Sequence, residues 1–307
     1  MKFIAASIAT LALISSAQAA DLPIHKPAPA PVAATACLEK NGLATDVFGF
    51  NTGSDVNDVG ALSGSLTYGG SFGARNGSAD GHLATAQLSY GAFPCVKIGP
   101  YLFAGAANSK AYGFNALHGS QYGGGIEVKY KFLGRDTHGV GATFDLALQG
   151  AALSGGLYGP PGLRSDSSWD AVYSLFLDKE LIAGKLYGAL NLGMDSNWTD
   201  MPQLFKSGYA RASTLRIGAS LAYQIIDGVF ISAELDHFRR YDAVFFGDEL
   251  GYATYAGPGI YWQATKDLAL SAAWDIQLSG KAKGVPGNLD LSDFSQHIVK
   301  AKLAYGF

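Results

Sequence analysis

Charge is scarce in this sequence. Only 15% of the 307 residues are Asp, Glu, Lys or Arg, and the formal net charge is −3. Soluble globular domains usually contain about a quarter charged residues, whereas 48% of this chain is apolar. The near-neutral balance also argues against a nucleic-acid partner, which requires a concentrated basic surface. The composition therefore predicts extended apolar surfaces and no nucleic-acid binding.

Long hydrophobic runs and clustered metal ligands are missing as well. Beyond the N-terminus, no stretch contains the roughly 18 consecutive apolar residues that a transmembrane helix needs. The two cysteines, Cys37 and Cys95, stand far apart and are not grouped with histidines. These patterns predict no metal site and no cofactor, and they favour a protein that is not an enzyme.

The N-terminus has the pattern of a secretory signal. Lys2 precedes an apolar run over residues 3–14, and a small-residue cleavage site of the A-x-A type follows. Residues 1–20 are therefore predicted to be removed on export. An exported protein meets an oxidising compartment, which leads to the hypothesis of a disulfide between Cys37 and Cys95.

Residues 21–60 precede the regular part of the chain. They begin with a segment rich in proline and alanine, which is typical of a linker that joins no sheet. We predict a periplasmic leader here. Within it, residues 37–60 fit either a short plug or an extra strand around residues 47–50.

Apolar and polar residues alternate from Leu62 to the C-terminus. In the last segment Leu303 and Phe307 share one face, while Lys300 and Lys302 lie on the other, as expected of a strand with a period of two. Twelve such segments are predicted, over residues 61–69, 82–93, 98–108, 121–133, 139–152, 168–178, 184–195, 209–224, 229–241, 252–264, 268–279 and 295–307. Each approaches or exceeds the roughly 9–11 residues that a tilted strand needs to cross hydrocarbon.

The connections between these segments alternate between short and long. Short connections fall at residues 94–99, 134–138, 179–183, 226–228 and 265–267, and long ones at 70–81, 109–120, 153–167, 196–208, 242–251 and 280–294. Outer-membrane barrels have short periplasmic turns and longer external loops. The pattern predicts an all-β, up-and-down antiparallel transmembrane barrel over residues 61–307, with about twelve strands and both ends periplasmic. Ten or fourteen strands and a soluble β-sandwich are the alternatives.

Strand parity places the charged residues inside such a barrel, because a Lys or Arg that faces lipid at mid-membrane costs about 2–4 kcal/mol. The predicted lumen charges are Glu127, Lys129, Lys131, Asp145, Asp170, Arg216, Glu234, Asp236, Arg240, Asp275, Lys300 and Lys302. Arg216 and Asp236 lie diagonally across the 226–228 turn, which predicts an ion pair. The mixed signs fit a narrow pore that steers small solutes. They also fit a salt-bridged interior that only stiffens the barrel.

Two further patterns lie at the predicted external rim. His118 and Ser120 have the spacing of a general base and a hydroxyl nucleophile, which is the basis of an alternative as an outer-leaflet lipid hydrolase. The second pattern is a set of outward-facing basic residues that can meet lipopolysaccharide phosphates. This rim set consists of Arg211, His237, Arg239 and His297.

Several segments carry a resemblance to a known group. They are the terminal Phe307, Phe-Arg-Arg-Tyr-Asp at 238–242, Ser-Ala-Ala-Trp-Asp-Ile-Gln at 271–277 and Pro-Gly-Asn-Leu-Asp-Leu at 286–291. With these segments the chain resembles porin-like, functionally unassigned outer-membrane β-barrel proteins of α-proteobacteria. The resemblance implies the outer membrane of a Gram-negative bacterium, contact with outer-membrane lipid and lipopolysaccharide, and recognition of the C-terminal strand by the barrel-assembly machinery.

The functional expectation is a porin-like passive channel for small solutes. A structural or adhesive envelope barrel without transport is the alternative. The sequence leaves open the transported solute, whether the pore is plugged, and the oligomeric state.

Overall fold

The computed structural model describes residues 37, 39, 42–73, 78–110, 117–155, 166–203 and 206–307. Within these residues the chain forms twelve strands. They are β1 (Leu62–Phe72), β2 (Ser78–Phe93), β3 (Val96–Lys110), β4 (Leu117–Leu133), β5 (Gly141–Gly155), β6 (Asp166–Ile182), β7 (Leu186–Gln203), β8 (Lys206–Ile226), β9 (Val229–Tyr241), β10 (Glu249–Gln263), β11 (Leu268–Ala282) and β12 (His297–Gly306). The predicted signal and the start of the leader lie outside the described residues.

Each strand pairs antiparallel with its neighbours in sequence, and β12 pairs with β1 to close the barrel. The closing register runs from Ser63 opposite Gly306 to Phe72 opposite His297. Closure leaves no sheet edge, which is the requirement for a sheet in hydrocarbon, where water cannot satisfy open backbone groups. The predicted twelve-strand barrel is confirmed, and the sandwich and the ten- or fourteen-strand alternatives are wrong.

The two faces of the wall differ in polarity. On β12 the side chains of Leu303 and Tyr305 are 41% and 43% exposed, whereas Lys300 and Lys302 are buried inside the barrel. Exposed Leu, Ile, Phe, Trp and Tyr side chains cover the outer face of the other strands in the same way. Exposed aromatic side chains on this outer face include Tyr130, Phe132, Trp169, Trp262 and Tyr305. Among the described residues, no helix is both long and apolar enough to cross a membrane.

One predicted loop is wrong. Residues 196–208 were expected to form a long connection, but β7 and β8 continue as a paired hairpin up to Gln203 opposite Lys206. Polar residues such as Asn197, Thr199 and Asp200 suggested a loop. The backbone pairing of the hairpin continues through these polar residues, because a ladder needs paired N–H and C=O groups and not apolar alternation.

The short connections share one end of the barrel, which we call the short-turn end. They consist of residues 94–95, 134–140, 183–185, 227–228 and 264–267. One of them contains α1, the four-residue helix Arg135–His138. The barrel also begins and ends here, at Leu62 and Gly306. The opposite end, which we call the long-loop end, contains the longer connections, including residues 242–248 and 283–296.

Residues 42–58, called the inner segment below, lie inside the barrel at the short-turn end. The segment contains a short 3-10 helix, Thr45–Phe48, whose four residues are all buried. Val47 and Phe48 pack in an apolar cluster with inward side chains of the wall, including Phe230 and Tyr261. These residues therefore occupy the interior at this end, while the expectation that they plug the lumen stays a prediction. The alternative of an extra strand at 47–50 is wrong, because these residues contact side chains of the wall and join no ladder.

Candidate functional site

The charged interior of the barrel is the candidate site. The structure places all twelve predicted lumen charges there, with eleven classed as buried and the Arg216 side chain 19% exposed. The set contains six acids and six bases, namely Glu127, Asp145, Asp170, Glu234, Asp236 and Asp275 with Lys129, Lys131, Arg216, Arg240, Lys300 and Lys302. Burial of this many charges requires pairing. The pairs they make show what the lumen contains.

Glu127 lies in the wall between two lysines. The Lys97 Nζ is 2.9 Å from Glu127 Oε2, and the Lys129 Nζ is 3.6 Å from Glu127 Oε1. The Gln87 amide also donates to Glu127 Oε2 at 2.9 Å. Sequence reasoning missed Lys97 because the third strand was predicted to start at residue 98, whereas it starts at Val96. The parity rule would otherwise have placed Lys97 in the lumen.

A second ionic group joins the inner segment to the wall, and we call it the Asp55 cluster. The Asp55 carboxylate pairs with Lys131, and its other oxygen accepts from Arg135 Nη2 at 2.6 Å. Arg135 Nη1 reaches Asp178 Oδ1 at 2.7 Å, and Lys131 Nζ also reaches Glu39 Oε1 at 2.6 Å. Burial acts to raise the pKa of the Asp55 carboxyl, but the adjacent arginine and lysine hold it below its ordinary value.

Asp46 of the 3-10 helix anchors the segment to the opposite chain terminus. Its Oδ2 lies 3.0 Å from Lys302 Nζ, and its Oδ1 lies 3.8 Å from Lys300 Nζ. Both lysines were predicted as lumen charges, either of a pore or of a salt-bridged interior. In the structure they neutralise a carboxylate of the chain's own N-terminal region. Asp46 lies outside the segments in which apolar and polar residues alternate, so sequence reasoning did not assign it to the lumen.

The backbone of the inner segment is hydrogen-bonded to wall side chains. Phe50 N donates to both oxygens of Glu234 at 2.9 and 2.8 Å, and Asn51 N donates to Glu234 Oε2 at 3.0 Å. Thr52 N donates to Asn191 Oδ1 at 2.7 Å, and the Asn191 amide donates back to the Thr52 carbonyl at 2.9 Å. Wall groups thus satisfy the irregular backbone of the segment, as a chain inside a barrel requires.

The predicted pair of Arg216 and Asp236 is present. Arg216 Nε and Nη2 donate to the two carboxylate oxygens of Asp236 at 3.0 and 3.1 Å, which is the strong bidentate arrangement. Arg216 Nη2 also reaches Asn51 Oδ1 at 3.4 Å. On the same strand, a Cβ at Gly218 would lie 2.0 Å from Asn51 Oδ1. A glycine at this position is what allows the inner segment to lie against the wall.

A disulfide joins Cys37 to Cys95, with a Cα–Cα distance of 5.9 Å. Cys95 lies in the short turn between β2 and β3, and Cys37 precedes the inner segment. The hypothesised pair is therefore present in the structure. It holds the N-terminal side of the inner segment at the short-turn end.

The loop of residues 283–296 enters the barrel from the long-loop end. The Tyr255 hydroxyl donates to the Ser295 carbonyl, and the Gln277 amide donates to the Asp290 carbonyl at 3.0 Å. Phe294 is buried against Phe238, with a centroid distance of 6.1 Å. Phe50 of the inner segment packs against this same apolar cluster. Chain segments from both ends therefore meet inside the barrel, which the predicted external loop at 280–294 did not anticipate.

Part of the lumen wall is apolar. Leu83, Tyr101, Phe103 and Leu153 form a buried cluster on the inner faces of β2, β3 and β5. The Tyr101 hydroxyl at its border donates to Gln149 Oε1 at 3.0 Å. Sequence reasoning followed the charges alone and did not single out these inward apolar residues.

The weaker rim patterns lie on the outer surface, where each residue has its own contacts. His118 Nδ1 lies 2.5 Å from Asn108 Oδ1, and Ser120 Oγ lies 2.7 Å from Ser154 Oγ. The rim set is outward-facing as expected. Arg239 contacts His237 and Glu249, His297 stacks on the ring of Trp274, and Arg211 is exposed. These contacts describe a polar rim, and the lipid-hydrolase alternative stays a prediction.

Comparison with known proteins gives a family and a fold. A family described as "Family of unknown function (DUF6662)" matches residues 43–307. No curated protein matches the sequence.

Solved structures that the chain is similar to share its fold at low identity. The beta domain of the Bordetella autotransporter BrkA is 14% identical with a TM-score of 0.60, covering 81% of this chain and 100% of that one. The translocator domain of autotransporter NalP from Neisseria meningitidis is 12% identical with a TM-score of 0.54, covering 83% and 91%. The COG4313 outer membrane channel from Pseudomonas putida F1 is 13% identical with a TM-score of 0.52, covering 83% and 98%.

Proposed function

The chain belongs to the Family of unknown function (DUF6662), and we propose that it is an outer-membrane channel for small solutes whose lumen is closed by its own residues 42–58. The observation that carries the proposal is the pairing of lumen charges with this segment. Lys131 and Arg135 hold Asp55, and Lys300 and Lys302 hold Asp46. The proposed channel is therefore closed by its own chain in this structure, a point that the sequence-based expectation of a porin-like passive channel left open.

The membrane location rests on the outer face of the barrel. Large apolar side chains such as Leu102, at 70% exposed, and Leu66, at 61%, have no protein cover in the described structure. Hydrocarbon is the environment in which such a closed apolar surface is stable. A similar solved structure is described as an outer membrane channel, and two others belong to autotransporters. The α-proteobacterial origin, lipopolysaccharide contact and recognition by assembly machinery stay predictions.

The size of the barrel supports a channel. Eight strands give an interior that wall side chains can fill, and larger barrels leave space. In this twelve-strand barrel, the space is occupied by a separate segment rather than by the wall alone. Release of the segment would leave a lumen lined by charged and polar groups beside the apolar cluster around Phe103. Such a lining suits small hydrophilic solutes of either sign.

The second candidate is a permanently sealed structural barrel. Two observations favour it, namely the Cys37–Cys95 disulfide and the deep burial of the Asp55 cluster. A sealed barrel would serve the envelope without transport. The two candidates share a structure and differ in whether the inner segment leaves the lumen.

Planar-bilayer recording of the refolded full chain separates these candidates. The double variant Asp46→Asn/Asp55→Asn removes both carboxylates that hold the segment to basic wall residues. The channel proposal predicts rare openings for the unmodified chain and frequent stepwise currents for this variant. The matched control is Asp227→Asn/Asp267→Asn, which changes the same charge at turns outside the lumen and should behave like the unmodified chain.

Absence of currents from both double variants, even with reductant to open the disulfide, would favour the sealed barrel. Steady currents of equal size from all three proteins would show that the inner segment does not close the lumen. We expect no enzymatic activity. Release of lysophospholipid that is lost on Ser120→Ala would contradict that expectation.

A further inference from the structure

Three carboxylates converge beside the tip of the inner segment. They belong to Glu234 and Asp236 on β9 and Asp275 on β11, and one oxygen from each lies within 4.8 Å of the others. All three residues are at most 4% exposed. Like charges this close and this deeply buried repel one another strongly unless a cation or a proton lies among them.

Two of the three carboxylates have donors, and the third has none. Glu234 accepts from Phe50 N and Asn51 N, and Asp236 accepts from Arg216. Asp275 is fully buried, and within the described chain its oxygens accept from no N–H or hydroxyl donor and face the carboxyl of Glu234. A buried carboxylate without any donor is costly, so its presence calls for a ligand that satisfies it.

The charge count of the cluster points to the ligand. Three carboxylates face one fully engaged guanidinium, that of Arg216, which leaves an excess of two negative charges. Lys300 approaches from the side, but it lies 3.8 Å from Asp46 and over the ring of Phe50. Because Lys302 already neutralises Asp46 at 3.0 Å, the charge of Lys300 offsets part of this excess, and a cation among the three carboxylates balances the rest.

The backbone next to Asp275 is shaped for close approach. At Gly257 of β10, a Cβ would lie 2.3 Å from Asp275 Oδ1 and 1.9 Å from the Trp274 carbonyl. Any other residue at this position would displace the Asp275 carboxylate from the cluster. The wall therefore keeps an unpaired acid in place rather than turning it towards water.

From these observations we propose that Glu234, Asp236 and Asp275 bind a divalent metal cation, calcium or magnesium, inside the barrel. Hard divalent cations take carboxylate oxygens as ligands and complete their coordination with carbonyls or water. Because Glu234 also accepts the backbone of Phe50 and Asn51, the bound cation fixes the wall group that holds the inner segment. The site stands whether or not the barrel conducts.

The site is tested by measuring the bound metal and the stability of the same protein. The full chain is refolded in detergent with excess calcium, or magnesium, and desalted, and the bound metal is measured by elemental mass spectrometry. We expect about one cation per chain and a higher unfolding temperature than for protein refolded with EDTA. Asp275→Asn should reduce the affinity for the metal by at least about tenfold. It should also remove the metal-dependent rise in unfolding temperature. Asp227→Asn, in an exposed turn, is the matched control and should bind like the unmodified chain.

Asp275→Asn removes an unpaired charge, so we expect it to fold. Absence of stoichiometric calcium and magnesium from the unmodified chain would overturn the proposal. Equal binding by Asp275→Asn would do the same, because the metal would then lie elsewhere. A metal-free chain whose stability rises only as pH falls, with Asp275→Asn insensitive, would assign a shared proton to the cluster instead of a cation.

Discussion

Arg135 connects two acids that are far apart in the sequence. Its guanidinium pairs with Asp55 of the inner segment and with Asp178 of β6, at 2.6 and 2.7 Å. Both acids are buried, at 6% and 2% exposure. Loss of one partner from a buried pair is costly because the other charge then has no counterion. Arg135 therefore joins an acid of the inner segment to an acid of the wall, with Lys131 as a second cation beside Asp55.

Replacement of Arg135 by methionine should destabilise the folded protein. The expected loss is about 3–5 kcal/mol in the free energy of unfolding, because Asp55 and Asp178 lose a shared buried cation. Denaturant unfolding in detergent micelles measures the change. Lys185→Met, at an exposed turn on the same end of the barrel, is the control and should change stability little. Equal stability of the two variants would show that Arg135 does not hold the inner segment.

Strand parity was sufficient to place charges but not to pair them. All twelve predicted lumen residues point inward because an outward charge would face hydrocarbon. Asp46 and Asp55 lie in irregular backbone, where no periodicity exists to assign a face. Arg135 belongs to a predicted short turn, and a turn gives no sign that its arginine folds back into the barrel. The partners of the predicted charges were therefore beyond sequence reasoning.

At the scale of elements, the loop of residues 283–296 has its own pH dependence. Asp290 is buried within it, and its Oδ1 accepts from the backbone of Ser292 and Asp293 at 3.1 and 3.0 Å. Burial raises the pKa of Asp290 to about 6, despite these donors. The docked loop thus favours the neutral acid, whereas an undocked loop would ionise near the ordinary value of about 3.9.

Docking of this loop should weaken as pH rises between about 4 and 6. In that interval the docked state binds more protons than the undocked state, so the stability that the neutral acid contributes is present below the interval and lost above it. Hydrogen exchange of amides 284–296, corrected for intrinsic rates, measures docking. Asp290→Asn should reduce the dependence, leaving a residual from Asp293, whose pKa burial also raises. Unchanged protection across this range in the unmodified chain would contradict the prediction.

The disulfide links an element to the wall across 58 residues of sequence. Constraint of a loop of this length in the unfolded chain typically stabilises a protein by about 2–4 kcal/mol. We expect Cys37→Ser/Cys95→Ser to lower the unfolding free energy by that amount and to increase hydrogen exchange in the inner segment. The oxidised and reduced unmodified chain provide a second comparison. Identical exchange in all three forms would show that ionic contacts alone fix the segment.

Strands in which apolar and polar residues alternate were predictable from the sequence, and irregular elements were not. Twelve strands follow from period-two patterning because each must present one apolar face. The 196–203 and 206–208 extensions were missed, since backbone pairing needs no such face. The inner segment offered two readings, because Thr45–Phe48 is short and apolar enough to fit either a strand or a buried turn.

At the scale of the whole molecule, the barrel reverses the arrangement of a soluble protein. Apolar side chains cover its outer surface, while its interior is charged and contains two segments of its own chain. A closed sheet can adopt this arrangement because its backbone is satisfied within the wall. The interior is therefore held by apolar clusters together with polar contacts, and the polar contacts can exchange for water if a segment leaves.

Gly218 offers the most direct test of the claim that residues 42–58 close the lumen. A methyl group at this position would lie 2.0 Å from Asn51 Oδ1 and 2.2 Å from Asp236 Oδ1, so Gly218→Ala should push the inner segment off the wall. Gly193→Ala is the matched control on the adjacent strand β7, where the nearest atom is 3.6 Å from the new methyl. The measurement is the open probability in single-channel recordings of the full chain.

If residues 42–58 close the lumen, openings should be frequent for Gly218→Ala and rare for both Gly193→Ala and the unmodified chain. Equal open probability in all three proteins, whether high or zero, would contradict it.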